Sequence, residues 1–390
     1  GKIGAVQNAA RSLTNSGLTR QRLERAAGTK LTEIQVDRLA ILAGFHDLGK
    51  ALAGFQARIY GEKTTLPSGH VAEALATLAD TSIQSIVEPL FHWFGPDLIY
   101  STICHHGEPG PQDRYESLVS VVPKLVTDDT RRALSELSHQ LHDRFPHATE
   151  DEAGIPDCEQ FQHLWAGILM TADWMGSGLP LEGDIYRPAA VEQILEETGW
   201  RSWHSGVEAK QILGGWSPRG AQTVAMDLSV DEQLTVVEAP TGTGKTEAAL
   251  IWASRLAEAG KIDGLYFAVP SRSAATELHQ RVATTMAGGH PALKGKVVRA
   301  VPGMLDTDDR PDYEPTPWAV AAPKRVFAAP VAVGTVDQAM LSHLRVRHAW
   351  LRAACLSRHL LVIDEVHASD PTWLPSSRRW SAVILIWVVM

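Results

Sequence analysis

Two short stretches of this 390-residue chain hold residue types that do phosphate chemistry at recognisable spacings. The first is His46-Asp47, which follows the apolar run Ile41-Leu-Ala-Gly-Phe45 and precedes Lys50. The second is Ala239-Pro-Thr-Gly-Thr-Gly-Lys-Thr246, a loop rich in glycine. A buried imidazole and carboxylate need a partner, and a metal ion serves as one. The loop has the composition that surrounds nucleotide phosphates.

Further candidate metal ligands lie at long spacings from His46-Asp47, each within or at the end of an apolar, helix-like stretch. They are His70, His105, His106 and Asp173. Neutral imidazoles with shared carboxylates suit Mn, Fe, Co, Ni or Zn better than Ca. A carboxylate such as Asp47 can bridge two metal ions about 3.5–4 Å apart, an arrangement that activates water for phosphodiester cleavage. Taken singly, each histidine is better explained as an ordinary core or surface residue.

The chain has a second His-Asp pair, His142-Asp143, with which the first can be compared, because the dipeptide alone does not indicate a metal site. It lies among polar residues, whereas an apolar segment precedes His46-Asp47. We therefore interpret His142-Asp143 as solvated helix surface.

The glycine-rich loop follows the apolar run Leu234–Glu238 and precedes a helix-like segment, which is the context that such a loop needs. Ala239 stands where the G-x-x-x-x-G-K-[ST] pattern has its first glycine. The glycines allow backbone N–H groups to turn toward phosphate oxygens, and the lysine reaches the β- and γ-phosphates. The threonine after it offers a hydroxyl to Mg²⁺. The residues expected to bind ATP here are Thr241, Gly242, Thr243, Gly244, Lys245 and Thr246.

The run Leu361-Val-Ile-Asp-Glu-Val-His367 is the natural partner of this loop. A buried strand would deliver Asp364 at its carboxyl end, where α/β sheets bind ligands. Asp364 would hold Mg²⁺ through coordinated waters, and Glu365 would polarise the attacking water.

Composition excludes several other classes of protein. The net charge of −9 rules out an extended basic surface for DNA binding, so any nucleic acid binds in a local groove. Three widely spaced cysteines rule out a disulfide framework and fit a reducing, cytoplasmic location. The longest apolar run, Ala382–Met390, is too short to cross a membrane, and no signal-peptide pattern opens the chain. Nine of the 16 histidines precede residue 164, which favours the first half for a metal site.

Periodicity divides the chain. Residues 1–185 carry apolar residues at i, i+3, i+4 spacing, which predicts an all-α domain. Glycine and proline interrupt residues 186–215, which predicts a linker. Residues 216–390 alternate short β-rich runs with helical segments, which predicts an α/β lobe with a parallel sheet.

Three more segments resemble motifs of superfamily-two helicases and occur in the correct order. Gln222 stands where such helicases keep an adenine-reading glutamine, and Ser271-Arg272 resembles a motif that touches strand phosphates. Thr335, Asp337 and Gln338 resemble a strand-gripping motif. Taken alone, each is better explained as an ordinary loop. The basic residues Arg345, Arg347, Arg352 and Arg358 near Trp350 fit a DNA-backbone contact or a solvated helix face equally well.

Both halves together resemble one family, the CRISPR-associated helicase-nucleases of type I interference systems. In that family an HD nuclease precedes a superfamily-two helicase, so the resemblance implies an all-α HD-type domain followed by a RecA-like P-loop lobe. It also implies two divalent transition metals, with Mn, Ni, Co or Fe favoured. By the family pattern one metal takes His46, Asp47 and Asp173, and the other takes Asp47, His70, His105 and His106.

The resemblance also implies what the remaining residues do. Asp47, Lys50 and Glu365 would be catalytic, and Ser177 would lie near the scissile phosphate with Lys50. ATP-driven 3′-to-5′ movement on DNA, nicking and degradation of single strands, and recruitment by an RNA-guided surveillance complex would follow.

The sequence departs from the family pattern at both ends. No histidine precedes His46, although the family has one in its first helix, so the first metal is expected to lack a ligand. The family continues after Asp370 into a second RecA-like lobe, which is expected to be absent here. Weak ATP binding and no unwinding are the expected consequences.

Two alternatives stay open. One is a nucleotide or second-messenger phosphohydrolase, since HD domains also support that chemistry. The other is a non-catalytic remnant that binds DNA or the surveillance complex without cutting.

Overall fold

The structure, a computed structural model, describes most of the chain. The described residues are 2–61, 71–106, 122–155, 157–178, 195–196, 198, 200, 203, 207–240, 242–289, 297–301, 326–344, 346–364 and 384–389. The chain divides into two compact units, Gly1–Val191 and Glu192–Met390. The predicted domain limits at 185 and 216, and the linker between them, stay predictions.

Within its described residues, unit 1 is helical throughout, as the periodicity predicted. Its α-helices are α1 (Lys2–Asn15), α2 (Gly17–Ala27), α3 (Glu33–Gly44), α4 (Ala53–Ile59), α5 (Ala72–Leu78), α6 (Gln84–Trp93), α7 (Pro96–Ile103), α8 (Asp128–Arg144) and α9 (Glu159–Gly178). Short 3₁₀ turns lie at Leu48–Ala51, Thr81–Ile83, Cys104–His106 and Pro146–Thr149.

Helix α3 is the centre of unit 1, and its sequence explains both of its ends. Thr32 accepts a hydrogen bond from the backbone of Gln35 at 3.2 Å, and the Gln35 side chain accepts one from the backbone of Thr32, which forms a capping box. Every residue from Gln35 to Gly44 is buried, because α1, α7 and α8 pack around the helix. The helix ends at Gly44, and His46 and Asp47, the two residues after Phe45, are therefore buried in the core.

Arg38, on α3, is a buried cation that holds a loop. Its guanidinium donates to the carbonyls of Ala148 at 2.9 Å, Glu150 at 2.8 Å and Glu152 at 3.0 Å. It also lies over the Trp93 ring, 5.2 Å from the centroid. Because charge-assisted bonds to buried carbonyls are strong, Arg38 fixes the segment between α8 and α9.

We expect Arg38→Ala to lower the free energy of unfolding of unit 1 by about 3 kcal/mol, because three carbonyls lose a charge-assisted donor at once. Urea unfolding followed by tryptophan fluorescence measures this. Arg132→Ala is the control, since Arg132 makes an exposed pair with Asp129 at 3.2 Å and should shift the transition very little. Equal shifts for the two variants would contradict the assigned role of Arg38.

Unit 2 alternates helices and parallel strands, as predicted for an α/β lobe. Its helices are α10 (Ala209–Ile212), α11 (Ala221–Asp227), α12 (Lys245–Glu258), α13 (Arg272–Gly289), α14 (Val336–Met340) and α15 (Ala349–Leu356). Its strands are β1 (Leu234–Glu238), β2 (Gly264–Val269), β3 (Val297–Ala300), β4 (Val331–Thr335), β5 (His359–Ile363) and β6 (Ile384–Val389). In the described part of unit 2, 3₁₀ turns lie at Val326–Ala328 and Leu341–His343.

The described strands form one parallel sheet in the order β1-β6-β5-β2-β4-β3. Strand β6, from the apolar run at the end of the sequence, lies between β1 and β5, with Leu385 opposite Leu234 on one side and Leu361 on the other. Parallel strands place their carboxyl ends at one edge, so the loops after β1, β2, β4 and β5 all open there.

Arg358 does not belong to a DNA-facing or solvated surface, so the interpretation of the basic stretch was wrong for this residue. Its guanidinium is 1% exposed and pairs with Asp263 at 2.6 Å. It also donates to the carbonyls of Trp200 and Ala328 and lies 4.2 Å from the centroid of the Trp200 ring. The side chain therefore joins the start of β5 to three other backbone segments of unit 2.

No helix among the described residues is both long and apolar enough to cross a lipid bilayer.

Candidate metal centre and nucleotide site

Two helix ends deliver imidazoles to the core of unit 1. His46 follows α3, and its Nδ1 donates to the carbonyl of Ala43 at 2.5 Å. His105 follows α7, and its Nδ1 donates to the carbonyl of Thr102 at 3.0 Å. Each acceptor lies three residues back, in a last helical turn where carbonyls lack helical partners. Because a carbonyl can only accept, the proton is on Nδ1, and Nε2 is the nitrogen left to act as a ligand.

The ligand atoms of three buried residues converge in the core of unit 1, and the carboxylate of a fourth, Asp173, lies beside His46. One ligand atom from each of His46, Asp47 and His105 lies within 4.8 Å of the others. Nε2 of His46 lies 3.0 Å from Oδ2 of Asp47 and 3.7 Å from Oδ1 of Asp173, which comes from α9. All four residues are at most 6% exposed.

When His46 is neutral, the contacts in this cluster bring hydrogen-bond acceptors next to one another. With its proton on Nδ1, Nε2 of His46 presents a lone pair to two carboxylates. Among the described residues, neither Nε2 of His46 nor Oδ1 of Asp47 has a hydrogen-bond partner, although both atoms are buried. Buried polar atoms without partners are costly, and a cation between them removes the cost.

Without a metal, the two carboxylates favour a second proton on Nε2 of His46, which meets the same need for positive charge. Burial lowers the pKa of His46, but Asp173 and Asp47 outweigh it and raise that pKa to about 9. Burial raises the pKa of Asp47, but His46 and Lys50 outweigh it and hold that pKa far below its usual range. The pKa of Asp173 is also lowered, since His46 outweighs the effect of burial. Both carboxylates are therefore ionised.

These residues fit a first-row transition metal. Imidazole nitrogens and carboxylate oxygens are its preferred mixed ligand set, and the buried unpaired atoms lie where such an ion would satisfy them. His46, Asp47, His105 and Asp173 would hold it. Such an ion, when bound, lowers the pKa of a water ligand and supplies hydroxide at neutral pH. Lys50 pairs with Asp47 and is 40% exposed, so its ammonium can also meet a phosphate from solvent.

The remaining predicted residues of this site lie beyond what the structure describes. His70 lies outside the described residues. His106 is in the 3₁₀ turn after α7 and Ser177 is in α9, but their side chains also lie outside the described part. A second metal with His70 and His106 therefore stays a prediction. Asp143 is exposed on α8, as predicted, but His142 is half-buried, with its ring 5.8 Å from that of Trp93, so the prediction of a solvated pair was wrong for His142.

The phosphate-binding loop of unit 2 lies between β1 and α12. Gly242 and Gly244 have φ angles of 77° and 84°, a region that favours glycine, and α12 begins at Lys245. Nζ of Lys245 donates to the carbonyl of Ala239 at 2.8 Å, across the base of the loop. The glycines thus give the loop the curvature that the sequence pattern predicted.

Gln222 lies against this loop. Its Nε2 donates to the carbonyl of Gly244 at 3.3 Å, and its Oε1 accepts from the backbone of Arg219 at 3.1 Å. A Cβ at Gly244 would lie 1.9 Å from that Nε2, so a larger residue there would displace the Gln222 side-chain amide.

A cavity of about 1080 Å³ in unit 2 opens beside the loop. The predicted nucleotide residues that line it are Gln222, Gly242, Gly244, Lys245, Thr246 and Asp364. Asp364 follows β5, and its backbone N–H donates to the carbonyl of Ala268 on β2 at 2.9 Å. Thr243 faces the neighbouring pocket and donates to the carbonyl of Pro240 at 2.6 Å. Thr241 and Glu365 lie outside the described residues.

Sequence reasoning missed two groups in the wall of this cavity. Trp216 is 82% exposed, and Arg281 of α13 pairs with Glu247 of α12 at 2.7 Å. The only sequence signal for Trp216 is its position six residues before Gln222, and Arg281 has none, because the helix-to-helix pairing sets its place.

The predicted DNA-contacting residues of unit 2 lie at or just after the ends of two neighbouring strands, β2 and β4. Val269 of β2 lies opposite Thr335 of β4 in the sheet. Ser271-Arg272 therefore follows β2 beside the position where Asp337 and Gln338 follow β4. Ser271 accepts from the backbone of Ala274 at 3.1 Å at the start of α13. Arg272 and Asp337 are exposed, and Gln338 is partly exposed. Thr335, the last residue of β4, is buried.

Comparison with known proteins identifies both units. Residues 4–179 match the family model "Cas3, HD domain", and residues 219–379 match the model "DEAD/DEAH box helicase". These two domains define a class of proteins that join an HD hydrolase to a helicase. The fold class predicted from the sequence is thereby confirmed.

The curated relatives have the same pair of activities in their names. The chain is 28% identical over 381 residues to the CRISPR-associated endonuclease/helicase Cas3 of Thermus thermophilus, which covers 85% of this chain and 40% of that protein. It is 28% identical over 249 residues to the protein of the same name from Escherichia coli, which covers 55% and 28%. The chain is therefore similar to CRISPR-associated Cas3 nuclease/helicases in both of its domains, as the motifs predicted, and it spans less than half the length of these relatives.

Solved structures agree with the fold. The crystal structure of T. fusca Cas3 with AMPPNP matches with a TM-score of 0.74 at 23% identity, over 100% of this chain and 48% of that one. A chain from a CRISPR RNA-guided surveillance complex in a pre-nicking state matches with a TM-score of 0.61 at 22% identity, over 100% of this chain and 45% of that one.

Proposed function

We propose that unit 1 is a metal-dependent nuclease that nicks and degrades single-stranded DNA. The observation that carries this proposal is the buried cluster in which His46 and two ionised carboxylates face one another with ligand atoms toward a common point. The four clustered residues, with His70 and His106 serving the second ion, would hold two transition-metal ions, which would supply activated water for phosphodiester cleavage. Lys50 and Ser177 would contact the scissile phosphate.

We propose that unit 2 binds ATP with Mg²⁺ and touches the DNA strand. Gln222 would read adenine, the loop ending at Thr246 would hold the phosphates, and Asp364 would hold Mg²⁺ through waters, with Glu365 polarising the attacking water. Ser271, Arg272 and the residues after β4 would contact the strand. The structure of the T. fusca relative with AMPPNP supports a nucleotide site. Movement with 3′-to-5′ polarity belongs to the whole protein of the family.

The partner proposed for this chain is an RNA-guided CRISPR surveillance complex. The support is the similarity to a chain of such a complex in a pre-nicking state. A protein recruited in that way would meet a displaced single strand, which fits a nuclease that acts on single-stranded DNA.

A substrate panel tests the proposal against the phosphohydrolase alternative. The full chain, stripped of metal and reloaded with Mn²⁺ or Ni²⁺, is incubated with single-stranded DNA, with deoxynucleoside triphosphates and with a cyclic dinucleotide. We expect cleavage of the DNA and no release from the two nucleotide substrates. Hydrolysis of the nucleotides alone would support the alternative and contradict the nuclease assignment.

A further inference from the structure

A buried hydroxyl lies between the elements that carry His105 and Asp173. Thr102 is in the last turn of α7, three residues before His105. Trp165 is on α9, eight residues before Asp173. Nε1 of Trp165 donates to Oγ1 of Thr102 at 2.9 Å, and both residues are fully buried. One hydrogen bond therefore joins the two ligand-bearing helices in the core of unit 1.

Three of the hydrogen bonds that Thr102 makes go to three different places. Its hydroxyl donates to the carbonyl of Leu98 within α7 at 2.9 Å and accepts from Trp165 on α9. Its carbonyl accepts from Nδ1 of His105 at 3.0 Å. The residue that orients the imidazole is thus also the residue tied to the helix of Asp173.

Two comparisons within the chain show that this bond is not a routine feature of its core. The carbonyl that orients His46 belongs to Ala43, which has no polar side chain to tie it elsewhere. The buried indole nitrogens of Trp200, Trp203 and Trp252 have no hydrogen-bond partner among the described residues. The core of this protein therefore tolerates unbonded indoles, and the bonded Trp165 lies on the helix that carries Asp173.

We propose that the Trp165–Thr102 hydrogen bond is a brace that sets the position of the His105 imidazole relative to the Asp173 carboxylate. Thr102 and Trp165 are then positioning residues of the metal centre. Groups that orient metal ligands typically change metal affinity by about 10- to 100-fold when removed. The inference rests on the proposed function, since it assumes that the cluster binds a divalent metal.

Cobalt titration of the full chain tests the brace, with Co²⁺ as the probe and its visible absorption as a measure of ligand geometry. We expect Thr102→Val and Trp165→Phe each to weaken Co²⁺ binding by about tenfold and to shift the absorption band. Thr102→Ser keeps the hydroxyl and should retain the wild-type spectrum. Because both substitutions remove the same bond, the double variant should bind about as weakly as either single variant.

Thr14→Val is the matched control. Thr14 is fully buried on α1 and donates to the carbonyl of Ala10 at 2.8 Å, so the variant loses a buried threonine hydroxyl whose bond lies within one helix. Its Co²⁺ spectrum should equal that of the wild type.

Each outcome decides between the brace, a structural role and the metal centre itself. Wild-type affinity and spectrum in both Thr102→Val and Trp165→Phe would overturn the brace, as would a lower melting temperature with an unchanged spectrum. A wild-type chain that binds no Co²⁺ would instead overturn the proposed metal centre.

Discussion

Asp47→Asn is expected to abolish metal-dependent cleavage of single-stranded DNA. Asp47 is 4% exposed and contacts both His46 and Lys50, so its carboxylate lies at the centre of the cluster. The amide has the same shape but no charge, and it cannot bridge two cations. We expect metal affinity to fall by about 100-fold or more and cleavage to fall at least as far.

The chain provides its own control for this substitution. Asp143→Asn changes the second His-Asp dipeptide on the exposed face of α8, where the carboxylate belongs to no ligand cluster within the described part of the chain. It should bind Mn²⁺ and cleave DNA as the wild type does. The readouts are Mn²⁺ binding by calorimetry and the initial rate of strand cleavage. If Asp47→Asn and Asp143→Asn behave alike, the nuclease site is not at His46-Asp47.

Lys245→Ala is expected to weaken ATP binding by roughly 10- to 100-fold, because each charge-assisted bond from an ammonium to phosphate contributes about 1.5–3 kcal/mol. Nζ of Lys245 donates to the carbonyl of Ala239, so a bound phosphate would compete with that carbonyl for the ammonium. A fluorescent ATP analogue titrated against the full chain with Mg²⁺ measures the change, and it does so even if wild-type binding is weak.

Lys261→Ala is the control for charge. Lys261 pairs with Asp231 on the surface at 2.7 Å and is not part of the cavity wall as the structure describes it. Its variant should bind the analogue as the wild type does. Retained binding in Lys245→Ala would show that the nucleotide does not use the loop after β1.

The local sequence pattern was sufficient to predict the helices and strands that carry the motifs. Three short apolar runs predict strands, and each is a strand with the predicted limits: Leu234–Glu238, Gly264–Val269 and His359–Ile363. A short β-rich apolar run between turns is typical of a buried strand in a parallel sheet. Apolar residues at i, i+3, i+4 spacing over Leu31–Leu42 predict a helix, and α3 is observed two residues later at each end. Its capping box and continuous apolar run explain why His46-Asp47 is buried.

Other features depended on pairings that no local pattern contains. Helix α2 is largely polar and has little apolar periodicity, and its position comes from packing against α1 and α9. The place of β6 between β1 and β5 is a property of topology, since its apolar run alone fits any buried strand.

The buried arginines and the brace were missed for the same reason. Arg38 meets carbonyls more than 100 residues away, and Trp165 meets Thr102 across 63 residues of sequence. Single-sequence reasoning identified residues with the right chemistry, such as His46, Asp47 and Asp173, but it did not give the contacts that orient them. The orientation of His105 through Thr102 became visible only with the helices in place.

The central claim is that the His46-Asp47 cluster makes this chain a metal-dependent nuclease for single-stranded DNA. The most direct measurement is the conversion of circular single-stranded DNA to linear and shorter products by the full chain after chelation, with and without added Mn²⁺. We expect intact circles with the chelated protein and linear products once Mn²⁺ is restored. Conversion of the circles in excess chelator, or intact circles at saturating Mn²⁺, would contradict it.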